Sequence, residues 1–279
     1  MRRFIGFIIL IILWQVVSVQ TSSILFPPAS EVFPAFVRLF VTGEISDDII
    51  MSMSSVIIGF VIAAVLGIGL AILIVSFKSI ELILMPLVDA MRPVAAMTLF
   101  PLIMLALGLG IWSKVFMIVW TAWPAILLNT VYGLEKVDPD IREAAELDGA
   151  DRPHLMYNIL IPLAMPAIMT GLRIGLSGGY IAIISSEMLG SSAGLGYSIL
   201  VYSQTFRFPE MYAIVLTIAM LGLGMNLILM YLQNLFDYSR DDGKKVKQWI
   251  SPFIRFNDRA ISYTVDMIKI GGTKNDEDR

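Results

Sequence analysis

The sequence has no cysteine and only one histidine, and charged residues fill just 15% of its 279 positions. Without cysteine there are no disulfides, thiolate metal sites or cysteine nucleophiles. His154 has no second ligand type beside it in sequence, which leaves it a surface or packing residue and gives no metal set or acid–base pair. No catalytic residue and no metal ligand is therefore expected. A phosphate-cradling G-x-x-x-x-G-K-[ST] loop is also missing, so the chain brings no such device of its own to bind and hydrolyse ATP. The net charge is only −3 and the basic residues are dispersed, which speaks against a nucleic-acid partner, since phosphate binding needs a concentrated basic face.

What the chain does have is apolar surface, at 57% of all residues, gathered into runs. Six runs stand out, at about 4–20, 54–76, 82–108, 114–133, 160–186 and 209–237. Crossing the hydrocarbon core takes roughly 20 helical residues. Helices are the only choice for such runs, because an open strand edge cannot be satisfied in lipid. The expectation is an all-α membrane protein with about six transmembrane helices. Met1-Arg2-Arg3 ahead of the first run imitates a secretory signal, but no small-x-small cleavage site follows, so the run is read as an uncleaved span.

Basic residues orient the spans. Arg2, Arg3, Lys78, Lys136, Arg142, Arg152 and the cluster Arg240, Lys244, Lys245 and Lys247 fall on one side, and Arg38, Lys114 and Arg207 on the other. The positive-inside rule then puts both termini in the cytoplasm of a multi-pass protein. Three regions follow: residues 1–53 hold the first span and an external segment, 54–237 the membrane core, and 238–279 a cytoplasmic tail, amphipathic and then disordered. In the external segment, Pro27-Pro28-Ala29-Ser30-Glu31 predicts a turn into a short helix capped by Ser30. Val32, Phe33, Phe36, Val37 and Phe40 would form its apolar stripe, suited to lying on the bilayer.

One cytoplasmic loop, at 138–162, carries ordered local signals. Asp138 suits an N-cap, Pro139 the first helical position and Gly149 a left-handed C-terminal residue. A second start follows at Asp151, with Pro153 in the first turn. The pair predicts a compact two-helix knob outside the membrane. Ala144 and Ala145 would give it a smooth approachable surface, Ile141 and Leu147 apolar anchors, and Glu143 a charge. The pattern alone leaves open a docking element or a plain connector.

Glu143-Ala144-Ala145, three residues, Gly149, nine residues, then Ile159-x-Ile161-Pro162 resembles the EAA loop of ATP-binding-cassette (ABC) importer permeases, with Ile161 where that family usually has Leu. Met91-Arg92-Pro93, Phe100-Pro101-Leu102, Gly108-Leu109-Gly110 with Ser113-Lys114, and the stretch Ser186–Tyr197 resemble the branch importing nitrate, taurine, alkanesulfonates and bicarbonate. The resemblance implies a type I (MetI-like) permease fold with a cytoplasmic coupling helix. It also implies a pathway for a small solute, in the cytoplasmic membrane of a bacterium or archaeon. Glu143, Ala144, Ala145, Gly149, Ile159 and Pro162 would couple to the ATPase. Implied partners are a cytoplasmic ATP-binding-cassette ATPase dimer, an extracytoplasmic substrate-binding protein and a second copy of the chain. ATP is bound by the partner, and no cofactor by this chain.

Several intramembrane residues are candidates for the pathway. Asp89 and Arg92 lie three apart in the third run, either as a self-satisfied pair that fixes packing or with Arg92 facing the pathway and attracting an anion. Arg173 in the fifth run either snorkels to the interface or faces the lumen. Ala167, Gly171, Gly175 and Gly179 recur every fourth residue, a stripe that admits close helix packing, and Arg173 points away from it. Glu187 closes the same run as a gate residue or an interface carboxylate. Two other classes compete with an importer permease. An ion channel or autonomous secondary transporter would not need the knob, and an intramembrane enzyme would need a convergent catalytic set.

Overall fold

The computed structural model describes residues 2–21 and 23–236, and every described element is helical. In chain order these are α1 (Arg2–Thr21), α2 (Ala29–Thr42), α3 (Ser46–Ser76), α4 (Lys78–Met91), α5 (Ala96–Leu107) and α6 (Ile111–Glu135). Then come α7 (Pro139–Leu147), α8 (Arg152–Leu155), a π-helical stretch (Met156–Leu160), α9 (Ile161–Gly190), α10 (Leu195–Gln204) and α11 (Phe208–Phe236). The chain divides into a compact unit, Met1–Gln233, and a second unit, Asn234–Arg279. Of the second unit only Asn234–Phe236, the last residues of α11, are described. The amphipathic and disordered tail expected at 238–279 lies outside the described residues.

Four helical segments are long and apolar enough to cross a membrane: Ser46–Ser76, Ile111–Glu135, Arg152–Gly190 and Phe208–Gln233. A fifth candidate is α4 with α5, bent by 98° at the break between them. The third apolar run, 82–108, is two helices meeting at an elbow, and among the described residues α1 adds the apolar stretch Ile9–Thr21. The elbow falls at Pro93: Arg92 before it still has helical dihedrals and donates its N–H to the Val88 carbonyl at 3.1 Å, but Pro93 lacks an N–H with which to continue the ladder.

α6 is the central helix, packed between α3 and α9. Small residues let it be central. A Cβ on Gly59 of α3 would lie 2.8 Å from the Ile118 side chain, and one on Gly179 of α9 would lie 2.9 Å from it. One turn-pair along, Ile126 is held the same way between Gly67, at 2.9 Å, and Gly175, at 2.8 Å. In lipid, where burial from water contributes little, such close van der Waals approach is what holds helices together. The stripe Ala167, Gly171, Gly175 and Gly179 therefore serves packing on α6.

The α1–α2 corner shows a correction. Ser30 does not cap α2, which begins at Ala29 after Pro28 without a side-chain cap. Instead the Ser30 N–H donates to Gln15 Oε1 at 3.1 Å, while Gln15 Nε2 donates to Ser30 Oγ at 3.1 Å, joining α1 to α2. Val32, Ala35 and Leu39 of α2 are buried with Leu195, Ala213 and Ile214, whereas Phe33, Val37 and Phe40 are exposed. This helix has one apolar face for the bundle and another turned outward.

Candidate functional site

The knob is built from local rules. The Asp138 carboxylate accepts the N–H of Asp140 at 3.0 Å, Pro139 opens α7, and Gly149 takes φ +86°, the left-handed conformation that favours glycine. Asp151 caps α8 by accepting the His154 N–H at 3.1 Å. His154 Nδ1 lies 2.8 Å from Asn158 Nδ2, and no His, Asp or Glu cluster fit for a metal occurs among the described residues. Ala145 is buried with Leu134, Val137, Leu155 and Leu160, so it roots the knob in the bundle. This corrects the expectation of a smooth two-alanine surface, since only Ala144 faces outward. Glu143 is exposed beside it, Ile159 packs partly against the same core, and Pro162 is exposed at the head of α9. Leu147 stands 87% exposed at the end of α7, with Ile141 at 40%.

At the opposite end of α6 a buried polar cluster joins three helices and a turn. Lys114 of α6 and Glu187 of α9 pair at 3.2 Å with side chains 2% and 0% exposed. Ser52 Oγ of α3 lies 2.9 Å from both Glu187 oxygens, and the Gly196 N–H donates to Glu187 Oε2 at 3.0 Å. Lys114 Nζ also donates to the Ala193 carbonyl at 2.9 Å, and the Leu195 N–H donates to Ser52 Oγ at 3.0 Å. Asp48 accepts the Gly194 N–H at 2.7 Å and the Ser198 hydroxyl. The Ala193 carbonyl and the N–H groups of Gly194, Leu195 and Gly196 thus meet partners on α6, α3 and α9, and the buried charges are paired, which is what burying charge demands. Two expectations change here: Lys114 is not an external loop charge, and Glu187 is not an interface carboxylate. Sequence reasoning missed Lys114, Ser52 and Asp48 as partners; the glycines of Gly194-Leu195-Gly196 were the available signal, because a Cβ on Gly194 would lie 2.2 Å from Glu187 Oε1.

The remaining intramembrane candidates are not gathered at this cluster. Arg173 donates from Nε to Asn226 Oδ1 at 3.2 Å and from Nη1 to Gln233 Oε1 at 3.4 Å. It lines a groove of about 690 Å³ between α9 and α11, with Thr170, Ser177 and Gly222. Its partners are neutral amides, and no carboxylate pairs with it among the described residues. Asp89 and Arg92 lie 3.6 Å apart at the α4–α5 elbow, 65% and 59% exposed.

A helical bundle with long apolar spans, a knob rooted at one end and charges buried within it is the architecture of a membrane-embedded protein. The chain belongs to the family described as binding-protein-dependent transport system inner membrane component, whose model matches residues 63–241. Among relatives, the nitrate import permease protein NrtB of Synechocystis sp. is 30% identical over 243 residues, covering 84% of this chain and 88% of that protein. The taurine transport system permease protein TauC of Escherichia coli is 26% identical over 198 residues, 69% of this chain and 72% of that one. The fold is that of the methionine ABC transporter MetNI in its inward-facing form, with a TM-score of 0.57 at 18% identity, over 72% of this chain and 97% of that one. The type I importer fold, the multi-pass membrane architecture and the role of ABC-importer permease follow, and the channel, autonomous-carrier and enzyme readings are not favoured.

Proposed function

We propose that the chain forms the transmembrane pathway for a small solute that carries an anionic group, of the nitrate, sulfonate, taurine or bicarbonate kind, and couples its import to a partner ATPase through the α7–α8 knob. The observation that carries this reading is Leu147, left 87% exposed on a helix whose opposite face is rooted by Ala145. An apolar side chain held rigidly outward is suited to insertion into a partner's groove. Glu143, Ala144, Ala145, Gly149, Ile159 and Pro162 form the coupling element: Ala144 admits close approach, Gly149 aims α7, and Ile159 and Pro162 transmit its displacement into α9.

In this reading ATP is bound by two cytoplasmic ATPase subunits, a substrate-binding protein delivers solute on the outer face, and two copies of this chain enclose the path in the cytoplasmic membrane. Both termini lie in the cytoplasm. Arg173 supports a solute with an anionic group, since among the described residues its guanidinium is held by neutral amides and paired with no carboxylate. Arg92 adds a second cation, and Glu187 serves the path by fixing the turn at its outer end.

Co-purification of an ATPase subunit from native membrane, followed by binding-protein-dependent uptake of labelled nitrate and taurine into vesicles, tests the assignment. ATP-dependent uptake of either solute supports it. Uptake without ATP or a bound ATPase contradicts it.

A further inference from the structure

We infer that the α4–α5 elbow, residues Met91–Ala95, lines a water-filled stretch of the solute path near half-depth in the membrane. The inference rests on the transport reading above and adds where the path runs.

Depth comes from α6. Trp120 Nε1 donates to the carbonyl of Val94 at 3.3 Å, which ties the elbow to the level of Trp120. At 1.5 Å per residue, Trp120 lies about 13 Å from the first residue of α6 and about 22 Å from the last. Neighbouring contacts bracket this level: Val88, before the elbow, is buried with Leu127 and Val131, and Phe100, after it, packs under Gly190. The break is therefore well inside a hydrocarbon layer about 30 Å thick.

Irregular backbone at such depth persists only where protein buries it or water reaches it. Arg92, Pro93, Val94 and Ala95 are all exposed, so this chain does not bury them. Two observations choose water over a covering protein face. Asp89 and Arg92 keep 65% and 59% of their side-chain surface open and meet only at 3.6 Å, which leaves most of each charge unsolvated unless water is present. The start of α5 is also bare: the Thr98 N–H turns back to the Ala95 carbonyl at 3.0 Å, but Ala95 at the N-cap has no polar side chain for the N–H groups of Ala96 and Met97, which then need water as acceptor. A dry contact would orphan both sets.

The cysteine-free sequence makes the test direct. Val94→Cys and Ala95→Cys are compared with Val65→Cys, a 68% exposed position on α3 beside Gly67, in the full transporter reconstituted in lipid vesicles. The probe is a trimethylammonioethyl methanethiosulfonate, which a thiolate attacks at sulfur to form a mixed disulfide with release of methanesulfinate. Because only the water-exposed thiol ionises, both elbow positions should react at least about tenfold faster than position 65. Reaction of both elbow cysteines at the rate of Val65→Cys, in variants that still take up solute, overturns the inference and leaves the transport reading intact. Failure of unmodified protein to take up any anion-bearing solute with its ATPase present overturns the transport reading instead. Two elbow positions are used so that a folding defect at one leaves the other to decide.

Discussion

Lys114 and Glu187, 73 residues apart in the chain, meet at 3.2 Å in a site from which solvent is almost wholly excluded. Removing one member of such a pair leaves the other as an uncompensated buried charge, at a cost of roughly 3–5 kcal/mol. Lys114→Met should lower the thermal stability of the purified protein by about that much, as should Glu187→Gln to a lesser degree, since the amide keeps a neutral acceptor for Ser52. The double variant should lose clearly less than the two single losses added, as residues in one network do. Additive losses in a denaturation series would show that the pair does not interact.

The turn that this pair holds makes a sharper demand at Gly194. Both Gly43 and Gly194 have positive φ, at +75° and +117°, but a Cβ on Gly43 would meet only Ser46 Oγ at 3.7 Å, whereas one on Gly194 would run into the Glu187 carboxylate. Gly43→Ala should cost about 1–2 kcal/mol, the left-handed penalty alone. Gly194→Ala, at φ +117° and ψ 166° in a region essentially restricted to glycine, should add about 1–3 kcal/mol of overpacking to about 1–3 kcal/mol of backbone strain. Equal melting temperatures for the two variants would remove the structural role assigned to the carboxylate.

At the centre of the bundle, Gly175→Ala places a methyl group 2.8 Å from Ile126 Cγ1. The expected loss is about 1–3 kcal/mol, and it should be recovered in part in an Ile126→Ala background, which removes both Cγ1 and Cδ1 from the contact. Monodisperse protein recovered from detergent, and its melting temperature, report both effects. No recovery in the double variant would mean that α6 and α9 do not meet here.

Orientation follows from the placement of basic residues rather than from the coordinates. A reporter inserted at Gly43 should label from outside the cell and one inserted after Lys136 only from inside. Reversed labelling would place the knob on the wrong side for a cytoplasmic ATPase.

How much of this was legible in the sequence depends on the range of the interaction. The knob was readable because caps are local: Asp138 acts on Asp140, and Gly149 on its own φ. The glycine stripe of α9 was readable because helical period is local too, although its partner, α6, was not. The elbow was hidden by hydropathy, which reads 82–108 as one continuous run, and Pro93 at the break could not be told from Pro86 and Pro101, which lie inside α4 and α5. The charged cluster was hidden by distance. Lys114 and Glu187 each sit near the end of an apolar run, where isolated charges ordinarily face water, and nothing local links them to Ser52 or Asp48.

On the proposed function, α7 passes the energy of ATP hydrolysis to the spans. Ala144 is exposed on α7 and Leu147 at its end is 87% exposed, so Ala144→Trp and Leu147→Asp leave the bundle core untouched. Loss of an apolar anchor at the centre of an interface commonly costs about 2 kcal/mol or more, roughly thirtyfold in affinity. The direct measurement is ATP hydrolysis and solute uptake, recorded in parallel on vesicles containing the permease, its ATPase and its binding protein. Both variants should remain inserted and folded while uptake falls by at least about tenfold, through lost ATPase retention or through hydrolysis no longer tied to uptake. Full ATPase retention with unchanged uptake per ATP in both variants would show that α7 is only a connector.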